Sequence, residues 1–160
     1  MNIHILATGG TIDKVYFDAN SEYHIGEPQV SNILESSNVT FEYSVTSLLK
    51  KDSLELTDDD RAAIRAHVES HASECIVITH GTDTMIQTAA ALDGVANKTV
   101  VITGAMMPAL FKDSDADFNI ATATTAVQVL PHGVYIAMNG QLFDPKTSKK
   151  NLALQRYETL

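Results

Sequence analysis

Residues 76–85, which read IVITHGTDTM, decide the fold of this 160-residue chain. The segment opens with β-branched residues that are typical of a strand buried on both faces. The polar residues 79–83 cannot continue that strand, and the sequence from Asp83 favours a helix with Asp83 or Thr82 at its N-cap. The segment therefore predicts a strand, a polar turn and a helix, and such turns are where open α/β sheets bind their ligands.

The predicted turn carries more polar groups than a turn needs. Two threonine hydroxyls, the His80 imidazole and the Asp83 carboxylate lie within five positions. A simple turn with one capping side chain uses one or two such residues. The N–H groups at the start of the next helix can also hold an anion or a developing oxyanion. We therefore interpret the turn as part of a functional site.

The amino terminus repeats this design. Residues 3–7 (IHILA) predict a short buried strand, and residues 8–12 (TGGTI) follow it directly. The two glycines allow a sharp turn and close approach of another group. The turn leaves the hydroxyl of Thr11, a candidate nucleophile if a base and oxyanion donors lie nearby.

Composition limits the classes of function. A chain with 44% hydrophobic and 19% charged residues predicts one globular domain, residues 1–160. A net charge of −9 argues against nucleic acid and anionic membranes as partners. We see no signal peptide or membrane-spanning run and expect a cytoplasmic protein. Scattered histidines, one cysteine and the lack of a phosphate-binding loop predict no metal and no cofactor.

Strands and helices alternate along the chain, which is typical of an α/β domain. Residues 13–26 read as a loop or loose hairpin, and residues 110–117 as a polar loop. The predicted helices are 28–36, 57–71 with Thr57 as cap, the one that follows Asp83, and 118–130 with Asp117 as cap; the other predicted strands are 40–47, 99–103 and 133–138, the last followed by a hairpin turn and residues 141–143.

The loops TGGTI and THGTDTM together resemble those of the bacterial-type L-asparaginase family. The resemblance continues through VVITGAMMP at residues 100–108 and through residues 149–151 (KKN). It covers nearly the whole chain, but only the amino-terminal half of the usual family protein. It implies an α/β three-layer sandwich around a largely parallel sheet, with L-asparagine as substrate.

The resemblance also implies roles for individual residues. Thr11 would be the nucleophile and Tyr23 its proton acceptor, with Tyr16 in the same loop as the alternative. Thr82, Asp83 and Lys149 match the family's Thr-Asp-Lys set, with Lys146 and Lys150 as alternatives to Lys149. A lysine beside a hydroxyl and a carboxylate can accept and pass a proton while its partners hold it in place.

For the substrate, the resemblance implies that Asp83 binds the ammonium group and Ser53 the α-carboxylate. The backbone carbonyl of Ala105 would receive the amide nitrogen. The family uses no histidine at the position of His80, which we interpret as structural.

Three departures from the family pattern concern the same site. Leu54 stands where many members have glutamine, and Met107 where arginine is common. The family's second domain, which contributes an acidic group from a neighbouring subunit, has no counterpart in these residues, and Glu55 is a candidate substitute. We expect a homodimer or a dimer of dimers with each site near a subunit boundary.

The expected reaction is hydrolysis of L-asparagine to L-aspartate and ammonia through an acyl-enzyme on Thr11. A related amidohydrolase acting on another amide is one alternative. A second is a non-catalytic amino-acid sensor, against which the joint presence of Thr11, Thr82, Asp83 and Lys149 argues. A third is the asparaginase-like subunit of a tRNA-dependent amidotransferase, against which the acidic charge argues.

Overall fold

One six-stranded sheet forms the centre of the structure, a computed structural model that describes residues 1–19 and 21–160. Its strand order is β4-β1-β5-β6-β7-β8; the first five strands are parallel and β8 is antiparallel to β7. The strands of these residues are β1 (Asn2–Gly9), β2 (Lys14–Phe17), β3 (Glu22–Ile25), β4 (Glu42–Lys51), β5 (Cys75–Thr79), β6 (Thr99–Thr103), β7 (Gly133–Met138), β8 (Gln141–Phe143), β9 (Ser148–Asn151) and β10 (Arg156–Thr159).

Helices cover both faces of this sheet. They are α1 (Val30–Ser36), α2 (Asp58–Ser70), α3 (Met85–Ala91) and α4 (Ala116–Val129). Val77 of β5 packs in the core beneath α1 and α4, whereas its neighbours Ile76 and Ile78 pack in the core beneath α2 and α3. Because alternate residues of a strand face opposite sides, both faces are apolar. The predicted three-layer α/β sandwich is confirmed.

Strand register aligns the carboxyl ends of three central strands. Ala7 of β1 pairs with Thr79 of β5, and Thr79 pairs with Thr103 of β6. The segments that leave these strands therefore start side by side at one edge of the sheet. This edge is where the sequence predicts the functional turns.

Helix α2 confirms its predicted start. The Thr57 hydroxyl accepts a hydrogen bond from the Asp60 amide at 3.1 Å, and the Asp60 carboxylate accepts one from the Thr57 amide at 2.9 Å. This reciprocal capping box satisfies two amides that the helix itself leaves unpaired.

Two predicted helix starts are wrong. Helix α3 begins at Met85 with Thr84, not Asp83 or Thr82, at its N-cap. The side chains of Thr82 and Asp83 contact Lys150 of β9 instead of the helix end. Helix α4 begins at Ala116 with Asp115 at its N-cap instead of Asp117. Neither Thr84 nor Asp115 forms a side-chain cap, because Thr84 contacts the Ser53 carbonyl and Asp115 contacts the Met106 amide instead.

In residues 1–19 and 21–160, two hairpins lie outside the central sheet. Residues 13–26 contain the antiparallel pair β2–β3, in which Tyr16 is paired with Tyr23; Asn20 of that segment lies outside the described residues. The tail contains the antiparallel pair β9–β10, which the sequence pattern does not predict. Within the described residues, no helix has the length and apolar character to cross a bilayer.

Three histidines form a cluster where α2 ends against β1. Nε2 of His4 lies 2.9 Å from Nε2 of His67, and Nδ1 of His4 lies 2.8 Å from the Ser44 hydroxyl. The His71 ring stacks on His4 at 3.7 Å between centroids, and its Nδ1 accepts a hydrogen bond from the Ser73 amide. His71 therefore carries its proton on Nε2.

The i, i+4 spacing of His67 and His71 is a sequence signal for this cluster that the predictions above do not use. The cluster is nevertheless not built to chelate a metal ion, because its ring nitrogens already contact one another, the Ser44 hydroxyl and the Ser73 amide. Across residues 1–19 and 21–160, no group of three or more His, Cys, Asp or Glu side chains is placed to hold a metal ion.

Burial sets the charge state of this cluster. Desolvation, followed by the charges of His71 and His67, lowers the pKa of His4 to about 4. Desolvation, His67 and Lys98 also lower the pKa of His71. A histidine with a lowered folded pKa is protonated first in the unfolded chain, so its stabilising contribution is present above pH 6.5 and is lost as the pH falls towards 4.

We predict that His4→Gln flattens this pH dependence. Between pH 7.5 and pH 5, the variant should lose about 1–3 kcal/mol less free energy of unfolding than the wild type. Urea unfolding at both pH values measures the difference, and His132→Gln on the exposed surface is the control. The same pH dependence in wild type and His4→Gln would show that the cluster does not exclude protons.

Candidate active site

Two glycines bring the loops TGGTI (residues 8–12) and THGTDTM (residues 79–85) into direct backbone contact. A Cβ at Gly10, where φ is 86°, would lie 2.5 Å from Cα of Gly81. A Cβ at Gly81 would in turn lie 2.6 Å from Cβ of Ser53. Carbon atoms cannot approach so closely, so both positions exclude a side chain. The loops that follow β1, β4 and β5 therefore pack directly on one another.

The loop that follows β6 joins the same group. A Cβ at Gly104 would collide with the carbonyl oxygen of His80. The Ala109 amide also donates a hydrogen bond to the carbonyl of Ile12 at 3.1 Å. All four loops thus converge at the carboxyl edge of the parallel strands, where open α/β sheets bind their ligands.

Thr11 begins a short 3-10 turn (Thr11–Asp13) beside these contacts. The chain reaches it through Gly9 and Gly10, whose positive φ angles of 100° and 86° disfavour any other residue. The Gly10 amide donates to the Lys51 carbonyl at 3.0 Å, which fixes the turn on β4. Thr11 is partly exposed and can meet a small ligand.

A lysine contacts the hydroxyl and the carboxylate of the central turn. Nζ of Lys150 lies 2.8 Å from Oγ1 of Thr82 and 2.6 Å from Oδ1 of Asp83. Its side chain is only 9% exposed, whereas that of Asp83 is 34% exposed. An ammonium shielded from water between two such partners interacts more strongly with the carboxylate than a surface pair does.

The structure places Lys150, not the predicted Lys149, in this contact. Successive side chains of a strand face opposite sides, and residues paired across a hairpin share a side. Lys150 is paired with Tyr157, which is buried against the site, whereas Lys149 is paired with Glu158 and is exposed. The contact expected of Lys149 is therefore made by Lys150, one of the two alternatives named above.

Tyr157 is a site-forming residue that the sequence patterns did not reveal. Its hydroxyl donates to the Thr82 carbonyl at 2.6 Å, and its amide donates to the Asn139 side chain at 2.8 Å. Burial and the charge of Asp83 raise the pKa of Tyr157, so it acts as a hydrogen-bond donor. It holds β10 against the turn and thereby sets the position of Lys150.

Ser53 lies buried at the centre of the converging loops. Its hydroxyl accepts a hydrogen bond from the Asp83 amide at 3.2 Å, and its carbonyl accepts one from the Thr84 hydroxyl at 2.8 Å. A serine that accepts in this way still has its own proton to donate. Ser53 is thus oriented by the central turn and can donate to an anionic group.

The carboxylate of Asp115 fixes the loop that carries Ala105. Asp115 lies in residues 110–117, the segment that the sequence predicts to be a polar loop. Asp115 accepts hydrogen bonds from the amides of Met106 and Met107 at 3.0 and 3.1 Å. It also accepts one from the Asn119 side chain, which donates in turn to the Gly104 carbonyl at 2.9 Å. Together, Asp115 and Asn119 hold the backbone on both sides of Ala105.

His80 is held as a neutral ring inside the turn. Its Nδ1 lies 2.6 Å from the Gly81 carbonyl, which only accepts, so Nδ1 carries the proton. Its Nε2 lies 2.7 Å from the Thr88 hydroxyl and accepts from it. Desolvation lowers the pKa of His80 to about 4. Both ring nitrogens are occupied, so neither is free to act as a base.

The two candidate tyrosines lie on the β2–β3 hairpin and are about half exposed. Their ring centroids are 5.5 Å apart, and the Tyr23 ring lies 6.0 Å from that of Phe111. Within the described residues, no hydrogen bond joins Tyr16 or Tyr23 to Thr11. The structure therefore brings together Thr82, Asp83, Ser53 and Lys150 by direct contact, but not the tyrosines and Thr11.

Leu54 and Met107, which differ from the family pattern, and the candidate substitute Glu55 lie on the solvent-exposed rim of the site. Leu54 is 74% exposed and Met107 is 38% exposed. Glu55, in the same 3-10 turn as Ser53, is also exposed.

Comparison with known proteins identifies the family of this chain. A family model described as the amino-terminal part of asparaginase matches residues 2–157. The chain belongs to the asparaginase family. A probable periplasmic L-asparaginase of Haemophilus influenzae is 31% identical over 175 residues, covering 99% of this chain and 49% of that protein.

Asparaginase-family relatives also include proteins with another named role. A glutamyl-tRNA(Gln) amidotransferase subunit of Methanococcus vannielii is 33% identical over 155 residues, covering 89% of this chain and 35% of that protein. The thermostable L-asparaginase of Thermococcus kodakarensis superposes with a TM-score of 0.87 at 27% identity, covering 100% of this chain and 51% of that one. The chain spans about half or less of the length of these proteins.

We predict that Asp115→Ala destabilises the fold by about 1–3 kcal/mol, because it leaves the Met106 and Met107 amides without their acceptor. Chemical denaturation measures the loss. The control is Asp117→Ala, an exposed carboxylate in the first turn of the same helix, for which we expect ~0.3–1 kcal/mol. Equal losses in the two variants would mean that Asp115 acts only through the helix dipole.

Proposed function

We propose that this chain hydrolyses the side-chain amide of L-asparagine, giving L-aspartate and ammonia, with Thr11 as nucleophile. The observation that supports this most directly is the contact of Lys150 with Thr82 and Asp83, next to the backbone packing of Gly10 on Gly81. That packing fixes the turn of Thr11 beside a lysine, a hydroxyl and a carboxylate. Membership of the asparaginase family supports the same reaction class.

In the proposed first step, Oγ1 of Thr11 attacks the amide carbon and its proton moves to Tyr23, with Tyr16 as the alternative acceptor. That tyrosine passes its own hydroxyl proton to the amide nitrogen as the carbon–nitrogen bond breaks, and ammonia leaves. Water then attacks the ester on Thr11 and releases aspartate. Lys150 can pass a proton while Thr82 and Asp83 hold it in place.

The proposed substrate contacts follow from charge and position. One carboxylate oxygen of Asp83 contacts Lys150, which leaves the second for the substrate ammonium group. The Ser53 hydroxyl has a proton to donate to the α-carboxylate. The Ala105 carbonyl, fixed by its flanking residues, would receive the amide nitrogen. These contacts account for a small zwitterionic amino acid amide.

The exposed rim at Leu54, Glu55 and Met107 supports a second proposal, that the site is completed by another protein surface. An open site is screened by water, which weakens binding of a charged substrate. A homodimer or dimer of dimers would cover it. The cytoplasmic location stays a prediction, since the Haemophilus influenzae relative is named as periplasmic.

The amidotransferase relative favours a second candidate function, amide hydrolysis that supplies ammonia within a larger complex. The two candidates share the chemistry at Thr11 and differ in the partner. A non-catalytic sensor would instead bind L-asparagine without releasing ammonia. An ammonia-release assay on L-asparagine, L-glutamine and D-asparagine separates hydrolysis from sensing and tests the choice of amide.

We predict that Thr11→Ala lowers ammonia release from L-asparagine by orders of magnitude while the fold is kept, because no hydroxyl remains to form the ester. Thr11→Ser should retain part of the activity, since it keeps the hydroxyl. Near-normal turnover by a folded Thr11→Ala variant would eliminate Thr11 as the nucleophile.

We predict that Lys150→Met lowers turnover roughly 10²–10⁴-fold, the usual contribution of a positioned proton-transfer group. Lys149→Met is the matched control, because it removes the same charge from the adjacent, outward-facing position and should be nearly silent. A large loss in Lys149→Met together with a silent Lys150→Met would contradict the assignment made from the structure.

A further inference from the structure

The buried carboxyl of Asp13 lies where the Thr11 turn meets the β2–β3 hairpin. Asp13 is only 2% exposed. Its amide donates to the Gly10 carbonyl at 3.2 Å, and its carbonyl accepts from the Gly26 amide at 2.8 Å. Its Oδ1 accepts from the Gln29 amide at 2.9 Å. One residue thus ties both ends of the hairpin to the loop that carries Thr11.

The β2–β3 hairpin depends on its attachment at Asp13 because few other contacts hold it in place. In the part of the chain that the structure describes, β2 and β3 pair only with each other, and an isolated two-stranded hairpin is marginally stable in water. The ion pair of Lys14 with Asp52, at 3.7 Å, and the approach of Tyr23 to Phe111 are the outer contacts that flank it. Tyr16 and Tyr23 are both about half exposed.

We propose that Asp13 is the positioning residue that fixes the base of the β2–β3 hairpin and thereby sets how Tyr16 and Tyr23 approach Thr11. The consequence for catalysis rests on the proposed function, whereas the consequence for the hairpin does not. Asp13 itself does not touch the substrate, because its carboxyl is buried and bonded to the Gln29 amide.

The charges around Asp13 make the attachment of the hairpin sensitive to pH. Burial raises the pKa of Asp13 to about 7, against the opposing effects of the Gln29 amide and of Lys50 on β4; Glu27, beyond β3, raises it further. Lys50 and Glu27 are themselves ion-paired, and Lys14 is paired with Asp52. The Asp13 carboxyl therefore exchanges its proton near neutrality.

The sign of the effect follows from linkage. A carboxyl with a raised pKa holds its proton in the closed state at pH values where the hydrated group has lost it. Its stabilising contribution is therefore full below about pH 4 and is lost as the pH rises to about 7. Each opening that hydrates Asp13 then releases one proton, so the opening constant rises up to about tenfold per pH unit and levels off near pH 7.

Amide hydrogen exchange of residues 14–17 and 22–25 tests the proposal directly. After correction for intrinsic exchange, the opening constant of the wild type should rise from pH 5 to pH 7 and then level off. Asp13→Asn keeps an oxygen acceptor for the Gln29 amide but cannot titrate, so its opening constant should not change with pH. Asp18→Asn, an exposed change in the same hairpin segment, should behave as the wild type does.

A wild-type opening constant that does not change with pH would overturn the proposal, and this measurement needs no variant. The proposal is also overturned if the opening constant of Asp13→Asn changes with pH as that of the wild type does. Denaturation of each variant checks that the remainder of the fold is intact, so local opening is not confused with unfolding.

Steady-state kinetics test the link to the site. Asp13→Leu, which removes the acceptor, should lower kcat about tenfold or more with a smaller change in KM, because the tyrosines act in the chemical step. Because opening of the hairpin increases towards pH 7, we expect the wild-type kcat to fall over that range, and Asp13→Asn should lack this fall. If the wild type releases no ammonia, the proposed function fails, and the exchange data still decide whether Asp13 positions the hairpin.

Discussion

The direct packing of the Gly10 backbone on the Gly81 backbone is the constraint on which the rest of the site depends. No side chain fits at either position, so the loops that follow β1 and β5 approach more closely than ordinary residues permit. Parallel register brings the ends of these strands to the same edge, and the glycines close the remaining gap. Thr11 consequently lies beside the turn that carries Thr82 and Asp83, although about 70 residues separate them in the sequence.

Polar side chains at the carboxyl edge of the sheet form tertiary contacts, whereas Thr57, away from that edge, forms a local contact. Thr57, away from it, forms a capping box and stabilises its own helix. Asp83 and Thr84, at the edge, leave α3 without a side-chain cap, because they contact Lys150 and Ser53 instead. Such a departure from local preference is expected at functional sites, where a residue is retained for its tertiary contact at some expense of helix stability.

Short-range patterns carried the correct predictions. The apolar run at the start of residues 76–85 predicted a strand buried on both faces, since β-branched residues without alternation need cover on each side. The box at Thr57 and Asp60 marked the start of α2, and the glycine-rich loops led to the family. Each of these signals lies within a few consecutive residues and needs no knowledge of distant partners.

Local patterns predicted the alternating strands and helices and the edge of the sheet at which the candidate site lies, because buried periodicity and glycine-bounded turns are local properties of the chain. The resemblance of the two loops TGGTI and THGTDTM added the family and the three-layer fold that the family implies. Only the tertiary structure decided which lysine meets Asp83, since the facing of Lys149 and Lys150 depends on the pairing of β9 with β10. It likewise assigned Asp115 to the loop of Ala105 and Asp13 to the base of the hairpin. These roles arise from contacts between segments whose relative position no local pattern specifies.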